Sequence, residues 1–189
     1  MKIKPAKESG NVLVELGPSD SERLSQAGKS VNGSPSPFKL ARILVPVDFS
    51  ECSKKALQYA VPFARQFGAA ITLLHVVQVY YPSGSEFGMV DVPLLETDLR
   101  KGAETQLATL AEQEIRKQVP NQCEVRVGPA VPEIIAAARA LESDLIILST
   151  HGRTGLKHVF LGSVAENVVR LAPCPVLVVR EHEHEFIGD

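Results

Sequence analysis

From residue 41 onward, short apolar runs alternate with longer stretches of helical period, the pattern of βαβ units building a parallel sheet. "RILVPVD" (42–48) is the first strand. Ser50 is placed to cap a helix through about Phe67, whose Ala56, Leu57, Ala60, Val61 and Ala64 keep the three-and-four spacing; Pro62 should bend it, and Gly68 ends it. "AITLLHVV" (70–77) is the second strand, and "QVYYPSGSEFGMVDV" after it has Pro and Gly but no period. A connection of that length in a compact domain is commonly functional or mobile. A long helix follows from Pro93 to about Val119, with Leu95, Leu99, Ala103, Leu107, Leu110, Ala111 and Ile115 as its buried stripe. "CEVRVG" (123–128) is the third strand; Pro132 opens a third helix carrying Ile134, Ile135, Ala138 and Leu141; "DLIILST" (144–150) is the fourth strand. A helix from Ser163 to Leu171 then leads to the fifth, "PVLVVR" (175–180). Four of these strands are nearly all apolar, as helices on both faces of a sheet require, whereas the alternating third suits an exposed edge.

Residues 1–38 read differently. One apolar patch, "NVLVEL", precedes a stretch dense in Ser, Gly, Pro and Asn, so this part is taken as an extension and linker, and six apolar residues do not decide whether it adds a strand. Residues 39–181 form the expected single domain and 182–189 a tail. The 20 basic residues against 22 acidic ones, a net charge of −2, give no footprint for a nucleic-acid partner. The three cysteines, Cys52, Cys123 and Cys174, are odd in number and far apart, which points to a reducing cytoplasm rather than a disulfide framework. No run approaches a signal peptide or a membrane span, so a soluble cytoplasmic protein without a membrane partner is expected.

The stretch "STHGRTGLKHVFLGSVAENV" (149–168) runs from the end of the fourth strand into a helix. A helix N-terminus presents unpaired backbone N–H groups and the positive end of the helix dipole, where anions bind readily. Gly152 and Gly162 can take backbone angles closed to other residues and let a ligand approach the chain, and Ser163 adds a hydroxyl. A purely structural account also exists, since Ser163 with Glu166 makes the S-x-x-E capping box and Gly152 can merely turn the chain. Topology bears on the choice. In an open parallel sheet, ligands bind beyond the carboxyl ends of the strands where their order reverses, and "VPVDFS" and "STHG" meet there if the first and fourth strands are neighbours.

"ILVPVDFSECSKKAL", "ITLLHVV" and "STHGRTGLKHVFLGSVAENVVRLAPCPVLVV" resemble the universal stress protein family, whose ATP-binding members carry G-x2-G-x9-G-[S/T]; the resemblance covers about residues 40–181. It implies an α/β, Rossmann-like adenine nucleotide α-hydrolase-like fold: an open five-stranded parallel sheet in the order 3-2-1-4-5 with helices on both faces. It also implies a homodimer and, in many members, ATP in the crevice between the first and fourth strands. Carried over, Pro46, Val47 and Asp48 would line the adenosine side, with Asp48 at the ribose, and Val76 would offer main-chain contacts to adenine. Gly152, Gly162, Ser163 and Val164 would hold the phosphates, with His151 and Arg153 near the phosphate tail. The motif's first glycine is Ser149 here. If that position needs positive φ the loop must shift, and if it needs only smallness serine is the gentlest replacement.

Elsewhere the residues suggest little chemistry. His75 lies in a strand and reads as a satisfied core or rim histidine; His182 and His184 in "EHEHEF" read as a solvated terminus; Lys157 and His158 read as surface groups. The chain has no G-x-S-x-G, Walker or H-E-x-x-H motif, so dedicated catalysis is not expected and any ATP hydrolysis would be slow. The fifth strand is an apolar edge that needs a cover, and a second copy is the economical one, with Pro173 and Pro175 confining what stays open. Three functions remain open: a stress-response module binding ATP as a regulatory ligand with a protein partner of unknown identity, a nucleotide-free dimeric interaction module, and a slow ATPase. Whether Mg2+ accompanies the nucleotide is not legible.

Overall fold

The computed structural model describes residues 2–5, 12–15, 39–79, 92–150 and 162–180. The chain divides into two compact units, residues 1–38 and 39–189. In the first, β1 (Lys2–Pro5) pairs antiparallel with β2 (Val12–Glu15), Lys2 opposite Glu15, so the "NVLVEL" patch does supply a strand.

The second unit contains β3 (Arg42–Pro46), α1 (Glu51–Phe67), β4 (Ala70–Val77), α2 (Val92–Leu110), β5 (Asn121–Val127), α3 (Ala130–Ala140), β6 (Leu145–Ser149), α4 (Ser163–Leu171) and β7 (Val176–Val179). Its five strands are parallel and lie in the order β5-β4-β3-β6-β7, which is 3-2-1-4-5 counted along this sheet, as expected. Because successive strand residues face opposite ways, β3 feeds two cores. Ile43, Val45 and Val47 pack with Leu57 and Ala60 of α1 and with Leu107 and Ile115 on one face. Leu44 packs with Ile146 and Leu148, with Ile134 and Ala138 of α3, and with Ala165 and Val168 of α4 on the other. Helices thus cover both faces, which is why the inner strands read as unbroken apolar runs.

Local signals set α1. The Ser50 side chain accepts from the Ser53 amide at 3.2 Å, and Gly68 closes the helix in the left-handed region at φ 68°, its N–H donating to the Ala64 carbonyl. A Cβ at Gly68 would meet open space, so only the backbone conformation opposes a side chain there. Gly102 inside α2 also faces open space but has no positive φ. Alanine should therefore act oppositely at the two positions, costing about 1–2 kcal/mol at Gly68 and stabilising by about 0.5–1 kcal/mol at Gly102. Denaturant melts of the two variants check the signs.

Three expectations about the second helix need correction. The α-helix ends at Leu110, a π turn covers Ala111–Ile115, and Arg116 and Lys117 take positive φ (48° and 59°), so the helix does not reach Val119. The apolar period runs on because Val119 is buried from the turn itself, at 7% exposure. Leu95 and Leu99 are not buried but 40% and 42% exposed, while Ala103, Leu107, Leu110, Ala111 and Ile115 do face the core. The 24 residues from 92 to 115 run roughly 36 Å, whereas the eight of β4 run about 26 Å, so the first turns overhang the sheet. Smaller shifts affect β5, which starts at Asn121, and α3, which starts at Ala130 and holds Pro132 in its first turn. Proline is tolerated there because that amide has no intrahelical partner.

Candidate functional site

Adjacent strands of this sheet differ in how far their ladders run. β3 pairs with β4 at five positions, from Arg42 to Pro46, and β6 pairs with β7 at four, up to Ser149 opposite Val179. Between β3 and β6 the ladder holds only Ile43 opposite Leu145 and Leu44 opposite Ile146. This is the seam where the strand order reverses, and the ladder ends there before either strand does; in open parallel sheets ligands bind beyond the carboxyl ends at such a place. Carrying the register on by four residues sets Asp48 level with Thr150.

On the β3 side, Asp48 turns the chain into α1. Its Oδ1 accepts from the Ser50 amide at 3.1 Å and from the Ser50 hydroxyl at 2.6 Å, and Ser50 Oγ in turn accepts from the Ser53 amide. The carboxylate is thereby held at the positive end of the α1 dipole. Phe49 between them has φ 65°, an unusual conformation for a bulky side chain.

On the β6 side, Thr150 is 3% exposed and its amide donates to the Val179 carbonyl at 2.9 Å. Its own carbonyl accepts from the Gly162 amide at 2.8 Å, so the mouth of α4 is clasped to the end of β6. Through this clasp, Gly162, Ser163 and Val164 come to the carboxyl end of β6, the strand beside β3. Val76 lies two residues beyond Leu74, the last β4 residue paired with β3, and is half-buried on the side of α3 and α4. The structure thus gathers Pro46, Val47, Asp48, Val76, Ser149, Gly162, Ser163 and Val164 at one end of the sheet. His151, Gly152 and Arg153 lie outside the described residues, as do Lys157, His158, His182 and His184.

The α4 mouth differs from expectation in two respects. Ser163 is the first residue of the helix rather than its cap; Gly162 is the cap, and no side chain caps the helix. The capping box does not form because the clasp to Thr150 already fixes where the helix begins. Gly162 has φ −66° and ψ 150°, backbone angles open to any residue, so conformational freedom does not explain the glycine. Beside it stand the amides of Ser163, Val164 and Ala165, which by helix geometry have no partner within α4. Ser149 is the last residue of β6 and is not among the non-glycine residues with positive φ, so the backbone raises no objection to serine at this motif position.

Sequence reasoning missed the Thr150–Gly162 clasp, the strained Phe49 and the Asp48–Ser50 turn, of which only the last has a local signal, the Asp-x-Ser spacing. A hollow of about 300 Å³, open to solvent, lies at the other end of the sheet between Arg42, Thr72, Gln122 and Leu141. Arg42 there bonds Glu142 at 2.9 Å, and Gln122 bonds Thr72 at 3.0 Å. The amino ends of parallel strands lack the helix N-termini that attract anions, so size does not make this hollow the better candidate.

Comparison with known proteins agrees with this fold. A family model described as the universal stress protein family matches residues 39–180. Universal stress protein MJ0531 of Methanocaldococcus jannaschii is 33% identical over 150 residues, covering 76% of this chain and 84% of that protein. Universal stress protein YxiE of Bacillus subtilis is 32% identical over 145 residues, covering 74% and 98%. Among solved structures, the hypothetical protein MJ0577 superposes with a TM-score of 0.66 at 30% identity, over 78% of this chain and 100% of that one. Two universal stress proteins in complex with cAMP and, from Archaeoglobus fulgidus, with dAMP share the fold at 20% and 21% identity, with TM-scores of 0.57 and 0.51; each alignment covers 75% of this chain and 98% of the other.

Proposed function

The chain belongs to the universal stress protein family, and on that premise we propose that it binds ATP as a regulatory or sensing ligand in the crevice between β3 and β6. The observation that carries this reading is the Thr150–Gly162 clasp, which brings free helix amides to the seam that Asp48 borders. The Asp48 carboxylate suits the ribose hydroxyls, and the amides of Ser163 and Val164 suit the phosphates. That two proteins of this fold hold cAMP and dAMP makes adenine the base to try first. Among the described residues the site offers no positioned base, and the sequence has no Walker lysine, so turnover of bound ATP is expected to be slow.

The working form is a cytoplasmic homodimer joined through β7. Among the described residues β7 has only β6 beside it, and an apolar edge strand left open pairs indiscriminately. A second copy about a two-fold axis removes that hazard.

Thermal melts with adenine nucleotides test the reading. At ATP one hundred times its Kd, mass action adds about 2.7 kcal/mol, a rise in Tm of about 5–10 °C for a domain of this size. No rise with ATP, ADP or cAMP at millimolar concentration contradicts it. Gly162→Ser provides a separate check, since serine suits a helix cap at these backbone angles. Its Tm should match or slightly exceed that of the parent, while ATP affinity falls about tenfold or more as the added side chain crowds the phosphate path. Unchanged affinity would show that Gly162 is not there for close approach.

A further inference from the structure

Nothing in the sequence gives His75 a role, yet the structure sets it where β3 leaves the sheet. Its Nδ1 lies 2.8 Å from the carbonyl oxygen of Val47, the first residue past the end of β3. A carbonyl oxygen only accepts, so Nδ1 carries a proton. The same imidazole packs against the Phe49 ring, centroids 4.4 Å apart and planes tilted by 36°. Phe49 is the residue held at φ 65°, a conformation that costs about 1–3 kcal/mol and persists only where the surroundings over-determine it. His75 therefore grips both chain neighbours of Asp48, one through a hydrogen bond and the other through ring packing. Asp48 in turn aims its Oδ1 at Ser50, which leaves the direction of the carboxylate dependent on this short, strained turn.

We propose that His75 is the positioning residue of the crevice: by fixing the Val47–Phe49 turn it sets the direction of the Asp48 carboxylate, and with it the preference for nucleotides that carry a ribose 2′,3′-diol. The inference rests on the nucleotide reading above and adds a determinant of specificity to it. The histidine need not touch the ligand, since it acts through Asp48.

The test compares Kd for ATP and for 2′,3′-dideoxyATP in the parent protein, in His75→Phe and in His75→Asn. Phenylalanine keeps a ring against Phe49 but has no donor for the Val47 carbonyl; asparagine keeps an N–H donor near the Nδ1 position but loses the ring. The parent should prefer ATP by about tenfold or more, and His75→Phe should bring that preference below about threefold, chiefly by weakening ATP. His75→Asn should retain part of it. In an Asp48→Ala background, His75→Phe should remove no further preference, because the two act in series. Equal weakening of both nucleotides in His75→Phe would reduce His75 to a structural residue and overturn the proposal. A parent that binds neither nucleotide defeats the nucleotide reading itself, whereas a parent and a His75→Phe variant that discriminate equally well defeat only this inference. Long-range 1H–15N spectra of the parent provide a measurement independent of any variant: Nδ1 should be protonated, and an unprotonated Nδ1 contradicts the proposal.

Discussion

Replacing Asp48 by alanine is expected to weaken ATP binding by about 10- to 150-fold, the loss that accompanies removal of a charge-assisted hydrogen bond worth about 1.5–3 kcal/mol. Asp48 ends the opening strand of the sheet, level with Thr150 across the seam, and its carboxylate is fixed by the Ser50 amide and hydroxyl at the mouth of α1. Alanine removes the ribose acceptor and the turn bonds together. Asp48→Asn separates the two effects, since its amide oxygen still accepts from the Ser50 amide while the charge is gone. Asparagine should keep the melting temperature of the parent and lose most of the affinity; alanine should also lose about 1 kcal/mol of stability with the turn. Calorimetric titration of both variants checks the order. Full ATP affinity in either one places the ribose elsewhere.

The largest effect on stability should come from Leu44→Ala. Leu44 is fully buried on the central strand, in the cluster that β6, α3 and α4 share. Truncation removes its transfer free energy and leaves a cavity that the strands flanking β3 on both sides cannot readily collapse, a loss of about 2–5 kcal/mol. For a domain of this size that lowers Tm by roughly 4–20 °C. Leu99→Ala, on the overhanging turns of α2, removes the same atoms and should change stability by no more than about 0.5 kcal/mol. Because α4 rests on the Leu44 cluster through Ala165 and Val168, the mouth that holds Gly162 and Ser163 depends on the same packing. A loss under about 1 kcal/mol in Leu44→Ala would mean that the two faces of the sheet are not independently packed as described.

What could be read in the sequence followed from how local its cause is. Ser50 and Gly68 bracket α1 because a cap and a left-handed closing residue act within one helical turn, and "AITLLHVV" is β4 to the residue because apolar strands in a covered parallel sheet need no further context. The far end of α2 failed because Ile115 and Val119 are buried through a π turn and a left-handed break, which an apolar period cannot distinguish from continued helix. Leu95 and Leu99 failed because the pattern marks an apolar face but not whether a sheet lies beneath it. At the site, the glycine spacing located the mouth of α4 but misjudged Ser163 and Gly162, since the cap is fixed by a hydrogen bond from twelve residues back at Thr150. The positive φ of Phe49 and the reach of His75 to Val47 arise from contacts between separate strands, and no short-range pattern encodes them.

The central claim, that nucleotide enters the seam between β3 and β6 and not the hollow at the opposite end of the sheet, is tested most directly by titrating ATP into 15N-labelled protein and following the backbone amides. Shifts should concentrate on Val47, Asp48, Ser50, Thr150, Ser163 and Val164. Shifts confined to Arg42, Thr72, Gln122 and Leu141 would contradict it.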